Sequence, residues 1–178
     1  HFTALTGIAY SHKRKKLLHN LLSSLEKQTF PNNSFEVIVV ATEKDEAFEH
    51  NLENFNLNMQ MTFVPNDPHQ GRSASAKRNF GASLAKAPWI AFIDDDCEAD
   101  ADWLNAAHKV LKDEQFQFAE GHVHISIQGL IIFAYKVIQR LSKPFCGQTC
   151  NMFYNKHTFE KIGGFDLNFP YYLEDTDL

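Results

Sequence analysis

Hydrophobic and polar positions alternate in blocks, and the period of the pattern changes from block to block. Phe2 to Ala9 is a short apolar run that predicts a buried first strand. Over Lys13 to Gln28 the period becomes helical. Leu17, Leu18, Leu21, Leu22 and Leu25 form one stripe, and Lys and Arg crowd the start of the helix. Pro31 to Ser34 marks a turn. Phe35 to Val40, FEVIVV, is a near-continuous apolar strand of the kind buried on both faces of a parallel sheet. Glu43 to Phe55 predicts a more polar helix with Phe48, Leu52 and Phe55 inward. Met59 to Val64 alternates as a strand does, and Pro65 to Gly71 reads as a loop.

Gly71 to Lys86 predicts a third helix, with Ala76, Phe80 and Leu84 at helical spacing, and Pro88 closes it. Trp89 to Ile93 is the next strand. Asp102 to Lys112 predicts a helix with Asp102 placed as its cap. Phe116 to Ile127 reads as one bent strand or two. Gln128 to Leu141 predicts an amphipathic helix, since Leu130, Ile131, Ala134, Val137, Ile138 and Leu141 share a face. Such a helix either covers a sheet or lies on a membrane surface. Thr149 to Tyr154 predicts a strand. A short helix at His157 to Ile162 comes next, broken by Gly163 and Gly164. Strand and helix alternate through the first half, so the fold expected is α/β, a mostly parallel central sheet flanked by helices. Ligands of such sheets bind beyond the carboxyl ends of the strands.

Bulk composition narrows the class. The 178 residues, 44% hydrophobic with 16 Phe, suit a single domain over residues 1–178 with a real core. The net charge of −5 argues against a nucleic-acid binder, which would carry a basic face. No apolar run is long enough to span a bilayer, and HFTALTGIAY does not read as a signal peptide. Cys97, Cys146 and Cys150 are too few and scattered for a disulfide framework, so a reducing, cytoplasmic setting is expected.

Three stretches carry candidate chemistry. Trp89 to Ile93 runs into Asp94, Asp95 and Asp96. Hard cations such as Mg²⁺ or Mn²⁺ bind carboxylates together with substrate phosphates. If the strand continued, Asp94 and Asp96 would share one side and Asp95 would take the other. A polar loop capping the next helix explains the same residues. In GRSASAKRNFGASLAKAPW, residues 71–89, small residues open a helix whose free N–H groups favour an anion, with Lys77 and Arg78 beside them. Taken alone, the stretch is better explained as an ordinary Ala-rich helix with a solvated basic edge. Near the end, Glu174, Asp175 and Asp177 form a second acidic cluster, either a source of a general base or a solvated tail. Glu120, His122 and His124 would share a strand face, a spacing open to a transition metal but as well explained by a half-exposed strand. Cys97 reads as packing.

Taken in order, these stretches resemble the inverting glycosyltransferases of family 2, which have the GT-A fold. Ile8 to Ser11, the helix ending in LEKQTFP and FEVIVV look like the family's opening strand, helix and strand. GRSASAKRNFGASLAKAPWIAFIDDDC resembles the approach to its D-x-D motif. NMFYNKHTFEKIGGFD with LEDTDL resembles its acceptor-side signature. The resemblance implies roles. Asp94 would contact the nucleotide, Asp96 would coordinate Mg²⁺ or Mn²⁺ on the diphosphate, and Asp95 would fill the middle place. Lys77 and Arg78 would approach the donor. Ala9, Tyr10 and Ser11 would line the nucleobase pocket, and Asp175, beside Glu174, would be the catalytic base. The partners implied are a nucleotide-diphospho-sugar donor and a glycan or lipid-linked acceptor, in cell-surface polysaccharide or glycolipid synthesis.

The sequence departs from the family where Ala41 and Thr42 follow Val40, in place of the usual aspartates. It also stops soon after the acceptor signature. The chain is therefore expected to be a piece of a longer protein, with any peripheral association with the inner membrane face residing in the part C-terminal to Leu178. A sugar-nucleotide-forming nucleotidyltransferase and a non-catalytic nucleotide-sugar or glycan-binding module are the rival readings.

Overall fold

Strand β2 (Phe35–Ala41) shows how the sequence builds the sheet. Phe35, Val37, Val39 and Ala41 enter one buried cluster, whereas Ile38 and Val40 enter another. A strand with apolar residues on both faces must be covered on both. The helices do this. Leu18, Leu21, Leu22 and Leu25 of α1 (His12–Glu26) and Leu104 of α3 (Trp103–Leu111) pack on the first face. Ala82 of α2 (Ala74–Leu84) and Phe159 of α4 (Lys156–Lys161) pack on the second. The result is three layers, helix, sheet and helix. The computed structural model describes residues 1–8, 12–42, 58–66, 69, 71, 73–113, 115–125, 132–138 and 149–168. The expected helix at Glu43 to Phe55 lies outside them.

The remaining strands are β1 (Phe2–Ile8), β3 (Gln60–Pro65), β4 (Trp89–Phe92), β5 (Cys97–Ala99), β6 (Phe118–Ile125), β7 (Ile132–Ile138) and β8 (Met152–Asn155). They form one sheet in the order β3-β2-β1-β4-β8-β6-β7-β5. The first four in that order run parallel to one another. Beyond β4 the sheet is mixed: β8 is antiparallel to β4 and to β6, β6 is antiparallel to β7, and β5 is parallel to β7. β1 has β2 on one side and β4 on the other, so the connectivity reverses there. A crevice at that switch point, outside the carboxyl ends of the strands, is where a ligand of such a sheet sits.

Two expectations are corrected. Within Gln128 to Leu141, residues Ile132–Ile138 form strand β7 rather than a helix. The apolar spacing fits one helical face, but Ile132, Phe133, Tyr135, Val137 and Ile138 are β-branched or aromatic, and ladders to β6 and β5 pair the backbone on both sides. The membrane-surface helix falls with it over these residues. Strand β5, three residues long, is hidden in sequence by the acidic residues around it. The ladder between β6 and β7 shifts register opposite His122 and Val123, where Tyr135 is the extra residue on β7, so Glu120 and His122 stay on a continuous strand.

Asp102 does sit at the cap position of α3, but its side chain makes no capping bond. Its carboxylate instead accepts from the Thr29 hydroxyl at 3.0 Å. α2 begins three residues after Gly71, whose φ of 88° suits a residue without Cβ. Ser73 caps α2 by accepting from the Ala76 N–H. Among the described residues no helix is long and apolar enough to cross a membrane.

Candidate functional site

The chain turns as soon as β4 ends. The Cys97 N–H donates to the Asp94 carbonyl at 3.1 Å, so Asp94, Asp95 and Asp96 lie on a tight turn and not on a continuing strand. The alternation that a continuing strand would impose on the three therefore does not apply. All three line one cleft of about 220 Å³ together with Arg14, Ala74, Lys77 and Arg78. Arg14 comes from the first turns of α1, just after β1. Lys77 and Arg78 come from the first turn and a half of α2. The cleft thus lies beyond the carboxyl ends of β1 and β4, at the switch point.

Every carboxylate of the turn meets an arginine. Arg78 Nη2 donates to Asp94 Oδ1 at 3.0 Å. Arg14 Nη1 donates to both Asp95 Oδ1 and Asp96 Oδ2, each at 2.8 Å. Lys77 reaches toward the end of β2, with Nζ 3.5 Å from the Thr42 hydroxyl. Lys77 and Arg78 are both buried, unlike the solvated basic edge of an ordinary helix. Burial pushes the Lys77 ammonium below its ordinary pKa, against the pull of Asp95. For Arg14 burial acts in the same direction, but Asp95 and Asp96 outweigh it and hold the guanidinium above its ordinary value.

Asp95 is the unusual member. It is 5% exposed, and its Oδ2 is buried without a hydrogen-bond partner among the described residues. Burial pushes its carboxyl up to about 6; Arg14 opposes this, and the like charges of Asp96 and Asp94 add to it. Because the folded pKa lies above the unfolded one, Asp95 contributes stability that is present below about 4 and lost as pH rises through about 6. Relative to Asp95→Asn, the metal-free wild type is expected to lose up to roughly 3 kcal/mol across that window and then level off. Denaturant titrations of both proteins from pH 4 to pH 8 check this, and a pH-independent difference would contradict it.

Helix α2 is braced from a second element beside the cleft. The Arg78 guanidinium lies 5.6 Å from the ring centre of Phe165. Asn79, next in α2, donates to the Phe165 carbonyl at 2.8 Å and accepts from its N–H at 2.9 Å. Gly163 and Gly164 have φ of 91° and 71°, and a Cβ on Gly164 would fall 2.6 Å from Asn79 Oδ1. The Gly-Gly-Phe-Asp stretch is thereby locked onto the helix that carries Lys77 and Arg78.

Among the described residues no three His, Cys, Asp or Glu side chains form a ready cage for a metal. A Mg²⁺ or Mn²⁺ ion needs less, because it keeps waters and takes one or two carboxylates plus substrate phosphates. Asp96, and the unpartnered oxygen of Asp95, fit that demand.

Comparison with known proteins decides the family. The model of "Glycosyl transferase family 2" matches residues 8–165. The chain belongs to that family. An uncharacterized glycosyltransferase of Haemophilus influenzae is 37% identical over 92 residues, covering 52% of this chain and 29% of the relative. The mannosyltransferase PcManGT from Pyrobaculum calidifontis, solved with GDP-Man and Mn²⁺, superposes with a TM-score of 0.75 at 15% identity, over 98% of this chain and 49% of that one. TarS 1–349 of S. aureus, solved with UDP-GlcNAc, gives 0.71 at 15% identity, over 93% and 48%. These structures establish the GT-A fold. The chain spans about half the length of these solved structures and less than a third of the curated relative.

For this family 2 domain, the structure brings together five of the residues expected to act at the donor: Lys77, Arg78, Asp94, Asp95 and Asp96. Ala9, Tyr10, Ser11, Glu174 and Asp175 lie outside the described residues. Cys97 is buried, and the Cys150 thiol hydrogen-bonded to it, together with burial, holds the Cys97 thiol far above its ordinary pKa. That fits packing and not a nucleophile. Arg14 was missed in the sequence, although a signal existed. Lys13, Arg14, Lys15 and Lys16 crowd a helix N-terminus, where the helix dipole disfavours cations. Such a start points to an acidic partner elsewhere.

Proposed function

We propose that this chain is the catalytic domain of a metal-dependent, inverting glycosyltransferase that moves a sugar from a nucleoside diphosphate to a hydroxyl acceptor. The observation that carries the reading is the cleft itself: an acidic turn faced by Lys77, Arg78 and Arg14 at the switch point of a GT-A sheet. Buried cations at the start of a helix are suited to a diphosphate. Asp96 is proposed to hold the divalent cation and Asp94 to contact the nucleotide side of the donor. The cation, when bound, stabilises the negative charge of the departing diphosphate. Asp175 is proposed to take the proton from the acceptor hydroxyl, and Tyr10, with Ala9 and Ser11, to line the nucleobase pocket. No protein nucleophile is required for a single displacement, in keeping with the inert Cys97.

GDP-Man and UDP-GlcNAc are the donors bound in the two solved relatives. A thermal-shift screen of UDP-, GDP-, dTDP- and CMP-sugars with Mn²⁺ tests the donor class. One nucleotide family is expected to raise the melting temperature only when Mn²⁺ is present, because ligand binding to the folded state stabilises by mass action. No shift with any sugar nucleotide would contradict the reading.

A further inference from the structure

We propose that Arg14 is a built-in counter-cation that holds the carboxylates of the donor site until a donor arrives, must leave when the divalent ion binds, and then serves the diphosphate. The inference rests on the donor-site reading given above. Its geometric basis is that a single nitrogen, Arg14 Nη1, lies 2.8 Å from an oxygen of Asp95 and 2.8 Å from an oxygen of Asp96. One positive centre shared by carboxylates of adjacent residues is the arrangement a small divalent ion would impose. A divalent ion bound to the same two oxygens, Asp95 Oδ1 and Asp96 Oδ2, would stand where Nη1 now stands, and two positive centres there repel.

Three further observations support displacement. The Arg14 side chain is 37% exposed, whereas those of Asp95 and Asp96 are 7% and 18% exposed, so the cation is the member with room to move. The basic start of α1 opposes its own helix dipole, so the arginine gains nothing from its helix by being there. Asp94 is already engaged by Arg78, which leaves Arg14 as the cation shared by the other two carboxylates. A guanidinium released from carboxylates has the planar donor fork that phosphates accept. The cleft would thus exchange Arg14 for a metal at Asp96 and present Arg14 to the diphosphate that accompanies it.

The exchange predicts effects of opposite sign from one substitution. Mn²⁺ binding is measured by electron paramagnetic resonance on the 178-residue chain, with wild type, Arg14→Gln, Arg14→Lys and the Arg14→Gln/Asp96→Asn double variant. With Mn²⁺ alone, Arg14→Gln is expected to bind roughly tenfold more tightly than wild type, the loss of two competing ion pairs. Arg14→Lys should stay near wild type, and the double variant should lose the gain. In saturating Mn²⁺, UDP measured by calorimetry should bind Arg14→Gln roughly tenfold more weakly than wild type. A merely structural role would not move the two affinities in opposite directions. Equal or weaker Mn²⁺ binding by Arg14→Gln overturns the counter-cation role, and an unchanged UDP affinity overturns the hand-over to the diphosphate. If wild type binds no Mn²⁺ with or without UDP, the donor-site reading fails and the proposal with it.

Discussion

Replacing Asp96 by alanine is expected to weaken Mn²⁺-supported binding of UDP or GDP by at least about a hundredfold and to abolish sugar transfer. The magnitude comes from the chemistry. Altering a group that merely orients a metal ligand costs roughly ten- to a hundredfold, and removing a ligand itself costs more. Asp96 stands on a turn whose ends are fixed, by the Cys97 N–H bond to the Asp94 carbonyl and by the Ile93 N–H bond to the Leu5 carbonyl. The loss would therefore not be made good by a shift of the chain. Fold stability should change little, because the side chain is partly exposed and its partner Arg14 keeps Asp95. Calorimetry with and without Mn²⁺ checks this. Mutant binding equal to wild type would remove the metal from Asp96.

The second large effect concerns the fold. Gly121→Ala is expected to destabilise the protein by about 3 to 5 kcal/mol, or roughly 10 °C or more in melting temperature. A Cβ on Gly121 would fall 2.0 Å from Asn151 Nδ2 and 2.4 Å from its Cγ and Oδ1. Asn151 has no exposed surface. Its Oδ1 accepts from Trp103 Nε1 at 2.8 Å, and its Nδ2 donates to the His122 carbonyl at 2.9 Å. The alanine must displace the amide or its partners and leave buried donors unpaired. Trp103, packed 5.1 Å from the Phe153 ring, starts the helix that comes after the acidic turn and β5. The damage should therefore reach the cleft as well as the core. Thermal and denaturant unfolding measure the cost, and a wild-type melting temperature would refute this account of the network.

The sequence revealed most of the fold for a simple physical reason. Buried parallel strands such as FEVIVV and leucine stripes such as that of α1 carry their burial in their spacing. It failed where local pattern and pairing compete. Residues 132–138 satisfy one helical face, yet become a strand because β5 and β6 flank them. Cys97–Ala99 is too short to announce itself and exists through its ladder to β7. In the site, the residue types were legible and their geometry was not. The pattern places Asp94 to Asp96 just past the end of a strand, but not the turn that the chain takes at Asp94. That turn lets Asp95 share Arg14 with Asp96. Pairing between residues eighty or more positions apart leaves no periodic trace, and only the dipole-opposed charges at the start of α1 hinted at it.

The most direct test of the central claim is anomalous diffraction from crystals grown with Mn²⁺ and UDP. The account predicts one strong manganese peak within coordinating distance of Asp96 and of the diphosphate, with Arg14 withdrawn from the two carboxylates. UDP bound with no manganese at the acidic turn, or manganese bound there with Arg14 still on Asp95 and Asp96, would contradict it.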